Sequence, residues 1–432
     1  LKSSIFSFLW LASEKLVRIF TGVFVGLWIA RYLGPSQYGV YMYALAWVGL
    51  FNGIAWFGVG ENVIRNLVRN PGSDDEVLGA AFAIRLIGSL MAGTLAVAVM
   101  YVSGRREAEL LQLVILMSLA IPFAETPAGI FLFFQSKLAI AMPVMLQNGV
   151  RLAAAALRIG LILAGCSLPW FGAAVLVESV GIFLVLFGLY LARGGRLSTW
   201  KYSWEGIRAM MIQGTPIAIS ALISSLAARI DQLMLGWFTD FVQVGMYGAA
   251  LRFSEFWWTF APILMNSLSP KYIFNIEDPQ QMQRNIMRIK AAMLAISLGP
   301  VLLILLIGDY AIPLLLGQQY AAALPVLYVH IFIAVFVFFD APLAQYLLAG
   351  NRQSQLIWKS VFMLGVNALL NLWLVPLQGA VGAALATLCA YALTLLVFYR
   401  LVPAYRDLGQ LQLGSLAFIW RLARGRERWR IG

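Results

Sequence analysis

An all-α integral membrane protein of about twelve transmembrane helices is the fold class that three features of this sequence predict. Hydrophobic residues fill 61% of its 432 positions. Charged residues fill only 12%, about half the share of a soluble globular domain. The apolar residues are gathered in many separate blocks, each near the roughly 20 residues that cross a bilayer. Helices are the expected form because a chain in lipid must satisfy its own backbone. The blocks lack the period-two alternation of a transmembrane barrel.

The blocks lie at about 5–30, 40–62, 78–103, 110–135, 143–165, 170–192, 210–237, 243–268, 287–308, 322–349, 355–376 and 379–400. In the first, Glu14, Lys15 and Arg18 interrupt the apolar run, which then continues too far for a signal peptide. It is read as the first span. The fourth contains "AIPFAETPAG", where Pro122 and Pro127 flank Glu125 and predict a break beside the acid. The fifth carries Arg151 and Arg158, seven residues apart and therefore on one helical face. Six blocks precede the polar stretch "ARGGRLSTWKYSWEGIR" and six follow it. The expected organisation is a six-helix lobe over 1–192, a cytoplasmic linker over 193–208, a second six-helix lobe over 209–402 and a basic tail over 403–432.

Loop charge sets the sidedness. With the N-terminus inside, the cytoplasmic side collects Lys2, Arg65, Arg69, Lys137, Arg193, Arg196, Lys201, Arg208, Lys271, Arg284, Arg288, Lys290, Arg352, Lys359 and seven arginines from Arg400 to Arg430. The other side has Arg31, Arg105 and Arg106. An even number of spans then leaves both termini cytoplasmic. This bias accounts for most of the net charge of +12, so no nucleic-acid partner is implied. The tail "WRLARGRERWRIG" is read as a topology signal and a contact for anionic lipids, and "LQLGSLAF" before it as an interfacial segment.

The halves repeat. "QYGVYMYAL" at 37–45 matches "QVGMYGAAL" at 243–251 in five of nine positions at an offset of 206, and "GAAVLVES" at 172–179 echoes "GAALATLC" at 382–389. A repeat of six spans keeps its orientation, so the lobes are expected to be related by a pseudo-two-fold axis along the membrane normal. A substrate path between them then suits alternating access.

Seven basic residues fall inside spans, away from the block ends: Lys15, Arg18, Arg85, Arg151, Arg158, Arg229 and Arg252. Facing lipid, they would cost about 20 kcal/mol together. Arg85, Arg158 and Arg229 can snorkel or form structural ion pairs; for Lys15, Arg18, Arg151 and Arg252 a wet interior is cheaper. On the helices themselves Glu14 can pair with Arg18 and Glu255 with Arg252, whereas Glu125 and Asp340 have no basic partner on their own helix. The cationic set expected at a substrate is Arg18, Arg151, Arg252, Lys15, Arg158 and Arg229, because guanidinium forks suit phosphate. Glu125, Asp231, Asp340 and His330 are the candidates for a coupling proton or sodium ion, and Trp257 and Trp258 for stacking on sugars; lipid contact explains the two tryptophans equally well, and plain packing explains His330. No cofactor or resident metal is expected: Cys166 and Cys389 are isolated, and no Walker loop or catalytic cluster occurs.

The stretches "ARYLGPSQYGVYMYALAWVGLF" (30–51), "RIDQLMLGWF" (229–238), "GMYGAALRFSEFW" (245–257) and "NALLNLWLVPLQGAVGAALAT" (367–387) resemble the polysaccharide transporter family, the O-antigen flippase type of the multidrug/oligosaccharidyl-lipid/polysaccharide exporter superfamily. The resemblance implies two six-helix lobes and a polyprenyl-diphosphate-linked glycan moved from the cytoplasmic to the outer leaflet of a bacterial or archaeal cytoplasmic membrane. It also implies polymerase or glycosyltransferase partners of the same pathway. By that analogy charged residues of each lobe's first helix line the cavity, here Arg18 and Arg229 or Asp231. The alternatives are a drug/cation antiporter of the same superfamily, which needs acids to dominate the cavity, and a non-transporting membrane scaffold of a glycan-assembly complex.

Overall fold

The computed structural model describes residues 2–56, 59–69, 72–105, 107–350, 352, 354–402 and 405–424. Among these residues no strand occurs. The chain forms two compact units, residues 1–229 and 230–432. The first holds α1 (Lys2–Phe20), α2 (Gly26–Trp56), α3 (Val59–Arg69), α4 (Asp74–Val102), α5 (Ala108–Glu125), α6 (Ala128–Ser136), α7 (Ala141–Leu163) and α8 (Leu168–Ala192). Helix α9 (Trp204–Phe238) contains the division. The second holds α10 (Phe241–Trp258), α11 (Phe260–Ser269), α12 (Pro279–Leu316), α13 (Leu324–His330), α14 (Ile333–Ala349), α15 (Ser354–Leu393), α16 (Tyr399–Leu401) and α17 (Arg406–Ala423).

Among the described residues, nine helical stretches are long and apolar enough to cross a membrane, and two of them, Ala12–Ala55 and Gln355–Phe398, run to 44 residues each. At 1.5 Å per residue such a stretch is about 66 Å long, twice the hydrocarbon thickness. Each is broken near its middle, at Gly34 (φ 71°, ψ 170°) and at Gly379 (φ 56°, ψ −131°), so each supplies two crossings. The rod of α10 and α11 is a further membrane-length element, less apolar because it carries Gln243, Arg252 and Glu255. These add up to the twelve crossings expected of a multi-pass membrane protein.

Local chemistry marks the ends. Asp240 caps α10 through the Gln243 amide at 2.9 Å, and Asp278 caps α12 through the amides of Gln280 and Gln281. Gly165 and Gly317 take positive φ just past α7 and α12, where a Cβ would be strained. A Cβ at Gly379 would also lie 2.7 Å from Gln243 Oε1. Gly379→Ala is therefore expected to destabilise the second unit by about 1–3 kcal/mol, read as a lower thermal midpoint of the purified protein.

The repeat becomes structure at matching places. Gly34 breaks α2 and Asp240 caps α10, an offset of 206 in both number and role. The residues that follow, 38–44 and 244–250, are buried without interruption.

Two expectations about boundaries differ from what is observed. The polar stretch 193–208, expected as the linker between lobes, is docked on the first unit. Trp200 is buried among Phe82, Phe187 and Tyr190 and donates its indole N–H to the Tyr190 hydroxyl at 2.9 Å. Lys201 N–H donates to Asp75 O at 3.1 Å, and Ser203 Oγ to Glu76 at 3.1 Å. Helix α9 continues this docking: Met210 packs into the cluster of Val63, Leu67, Val77 and Ile84, and Arg65 donates to Gln213 Oε1 at 2.7 Å. Apolar packing therefore moves the division to 229/230.

The tail also folds further than expected. Helix α17 lies on α12, with Tyr405, Leu408 and Leu411 joining Ile286, Ile289 and Met293 in one buried cluster. Arg352 holds it with a second fastener, donating to both carboxylate oxygens of Asp407. That hydrogen bond holds the Asp407 carboxyl below its ordinary 3.8. A depressed carboxyl contributes stability above its unfolded pKa and loses it as pH falls through the folded one. Docking of α17, followed by hydrogen exchange of 406–423, is accordingly expected to be unchanged from pH 7 to 5. Below the ordinary aspartate range it is expected to loosen; Asp407→Asn should loosen it at every pH. Residues 425–432 of the tail lie outside the described residues.

Candidate functional site

Three of the membrane-embedded arginines are tied one-to-one to carboxylates of neighbouring helices. Arg151 on α7 meets Glu14 on α1 at 3.1 Å and donates to Gln147 Oε1 one turn away at 3.3 Å. Arg158, two turns further along α7, meets Glu178 on α8 at 2.7 Å. Arg85 on α4, 1% exposed, meets Glu125 on α5 at 2.9 Å and also donates to its backbone carbonyl. The expected Glu14–Arg18 pair does not form, because Arg151 reaches Glu14 from the facing helix. Glu125, which has no basic partner on its own helix, has Arg85 across a helix contact. The break beside it is present, with α5 ending at Glu125 and α6 starting at Ala128.

With Glu14 committed to Arg151, two cations of α1 are left over. Lys15 and Arg18 are exposed and make no ion pair among the described residues. Around this one tie the α1/α7 surface thus carries Lys15, Arg18 and Arg151 against Glu14 alone. Five residues of π-helix follow Arg18 closely, Thr21–Val25, a backbone irregularity often found at functional positions. Arg229 sits half-buried at the end of the first unit, its guanidine Nε near Gly49 of α2. Arg252 is half-buried on α10 in the second unit.

The second unit encloses an acid instead. Asp231 is buried on α9 and ringed by donors from three other stretches of helix. Its Oδ2 accepts from Thr387 Oγ1 at 2.6 Å and from the Tyr247 hydroxyl at 2.9 Å, and its Oδ1 accepts from Asn371 Nδ2 at 2.8 Å. Asn367 extends the network, donating to Thr387 Oγ1 at 3.1 Å. The donors arrive together because Asn367 and Asn371 are one turn apart on α15 before its break, while Thr387 follows it. No basic side chain pairs with Asp231 among the described residues. Sequence reading named Asp231 but missed Tyr247, Asn367, Asn371 and Thr387. Tyr247 was available as a repeat residue inside "QVGMYGAAL".

The remaining candidates are packed into structure. His330 is buried, hydrogen-bonded to Ser254 Oγ at 2.8 Å and stacked on Trp258 with ring centres 5.3 Å apart. One face of Trp258 is therefore occupied by protein, and Trp257 packs against Phe256 and Phe260. Asp340, without a basic partner on its own helix, is paired with Lys359 of α15. Lys359 and Lys290, both assigned to loops from sequence, lie within helices. Lys290 is fully buried, donating to Phe339 O at 2.8 Å and Gln412 Oε1 at 2.6 Å. Among the described residues no group of His, Cys, Asp and Glu could hold a metal. An apolar groove of about 680 Å³ opens between α4 and α5, lined by Leu90, Gly93, Val97, Tyr101, Ile115 and Leu119 among others.

A family profile described as polysaccharide biosynthesis protein matches residues 7–270. The chain belongs to that family. Its fold is also found in solved structures. A structure of the lipid II flippase MurJ in an inward closed conformation aligns with a TM-score of 0.68 at 13% identity, over 99% of this chain and 94% of that one. An inward-facing multidrug resistance MATE family transporter of the MOP superfamily aligns at 0.64 and 16% identity, over 97% and 99%. The MATE multidrug transporter DinF-BH aligns at 0.56 and 14%, over 90% and 92%. At these identities the likeness is one of fold, and it covers both units of this family member. No curated protein sequence matches it.

Proposed function

We propose that the protein is a flippase that moves a polyprenyl-diphosphate-linked oligosaccharide from the cytoplasmic to the outer leaflet by alternating access, for surface polysaccharide assembly. The observation that carries this reading is the cationic surface of α1 and α7: Lys15 and Arg18 exposed beside the Glu14–Arg151 tie. Cations left over inside a membrane element are costly unless water or an anion meets them, and a diphosphate is an anion that guanidinium binds in bidentate fashion. Arg151 then acts as a positioning residue, holding α1 against α7 through Glu14. Membership of a polysaccharide biosynthesis family supports a glycan-bearing substrate, and the fold shared with a lipid II flippase supports a lipid carrier. The basic loop bias supports a cytoplasmic membrane with both termini inside.

Asp231 is the coupling-ion residue of this scheme. Its surroundings are neutral, the hydroxyls of Thr387 and Tyr247 and the amide of Asn371, and the buried Asn371 Oδ1 beside it has no hydrogen-bond partner, an acceptor that a small cation satisfies. Asp231→Asn keeps the shape and removes the charge. It is expected to leave the protein folded while abolishing the response of transport to an imposed proton or sodium gradient, measured in proteoliposomes; an undiminished response would remove Asp231 from the scheme.

The experiment that tests the function itself reconstitutes the protein with a polyprenyl-diphosphate-linked oligosaccharide and, separately, with an organic cation. Movement of the lipid-linked sugar alone is expected. Uptake of the cation alone favours the antiporter reading, and movement of neither favours a scaffold.

A further inference from the structure

Helix α17 is docked by one face and leaves the other bare. Its inner face is fixed by Leu408, Leu411 and Gln412, all buried. Its outer face carries Leu413 (45% exposed), Leu416 (38%) and Trp420 (51%), with Ala417 exposed among them. Arg421 and Arg424 are exposed at its end, and the Arg424 guanidinium lies 3.9 Å over the Trp420 ring. The sequence continues as "GRERWRIG", adding Arg426, Arg428, Trp429 and Arg430 against a single acid, Glu427.

Position along the chain says what meets this face. The 44-residue stretch Gln355–Phe398, which supplies the last two crossings, ends only eight residues before α17 starts at Arg406. The helix also packs beside Met282, Ile286 and Ile289, in the first turns of α12 before its continuous apolar run. It therefore sits at the level where a span leaves the hydrocarbon. A helix there with leucine and tryptophan outward and arginine at its margin has the composition of an interfacial element, and clustered arginines next to a span are attracted by anionic head groups.

We propose that the outer face of α17 is a docking surface for the anionic lipid of the membrane surface, held by Leu413, Leu416 and Trp420 in the acyl boundary and by Arg421 and Arg424 on head-group phosphates. Lys290–Gln412 and Arg352–Asp407 fix the helix to the second unit, so a lipid bound outside is in mechanical contact with that unit. The inference does not depend on what the protein transports.

The test places a single fluorophore at Ala417→Cys in the full chain with Cys166→Ala and Cys389→Ala, reconstituted in phosphatidylcholine vesicles. Brominated phosphatidylglycerol or brominated phosphatidylcholine is then added as quencher. Both lipids are expected to quench, with phosphatidylglycerol preferred about fivefold at low salt. The preference should fall to about one in Arg421→Gln/Arg424→Gln, whose substituted side chains are exposed and carry no core packing. A wild-type preference of one overturns the proposal, because apolar anchoring then acts without charge recognition. Absence of quenching by either lipid also overturns it, since a protein partner or a second copy of the chain then covers the face.

Discussion

Lys15→Gln/Arg18→Gln is expected to lower transport of a lipid-linked oligosaccharide by roughly a hundredfold while leaving the protein folded. Each side chain contributes a charge-assisted contact worth about 1.5–3 kcal/mol when it meets a phosphate, and two such losses multiply. Neither side chain is buried or ion-paired among the described residues, so their removal leaves no orphaned charge in the fold. Thermal midpoint and detergent-solubilised yield should match the wild type. Arg18→Lys restores the charge without the planar fork and is expected to recover only part of the rate. Equal loss of rate and of folded protein would instead mark α1 as a structural element.

The opposite pattern is expected for the buried pair of α4 and α5. Arg85→Met leaves Glu125 uncompensated beside a helix break, and removing one member of a buried pair costs about 3–5 kcal/mol. That is a large share of the stability of an ordinary domain, so folded yield should collapse. Arg85→Met/Glu125→Leu removes both charges and keeps comparable volume, and it is expected to regain much of the yield. If the double variant transports with its ion dependence intact, Glu125 is a structural partner and leaves the list of coupling residues. Failure of the double variant despite restored folding would return Glu125 to that list.

The two pairs show what a sequence discloses and what it withholds. Apolar blocks give the number of crossings, because lipid imposes the same rule on every segment. The breaks at Gly34 and Gly379 and the cap at Asp240 follow from residue types with local conformational preferences. Partners between helices follow no local rule. Glu14 has Arg18 one turn away, yet it pairs with Arg151, which is far along the chain but adjacent across a helix contact. Glu125 and Asp340 look unpartnered on their own helices and are paired across them. The donors around Asp231 are scattered from Tyr247 to Thr387 and converge only once α9, α10 and α15 pack. Lys290 looked like a loop cation because it opens an apolar run, but α12 begins eleven residues earlier and carries it into the core.

The seven basic residues placed inside spans from sequence therefore do not form one cationic set. Arg85, Arg151 and Arg158 are neutralised in place and hold helices together. Lys15 and Arg18 retain charge at a surface, and the functional reading rests on them.

The measurement that tests this most directly is binding of farnesyl diphosphate, with farnesol as the uncharged control, to the purified protein and to Lys15→Gln/Arg18→Gln by calorimetry. The wild type is expected to bind the diphosphate at least about tenfold more tightly than the alcohol. In the variant, that difference should be lost while affinity for the alcohol stays the same. Equal affinity for diphosphate and alcohol in the wild type, or an undiminished preference in the variant, would contradict it.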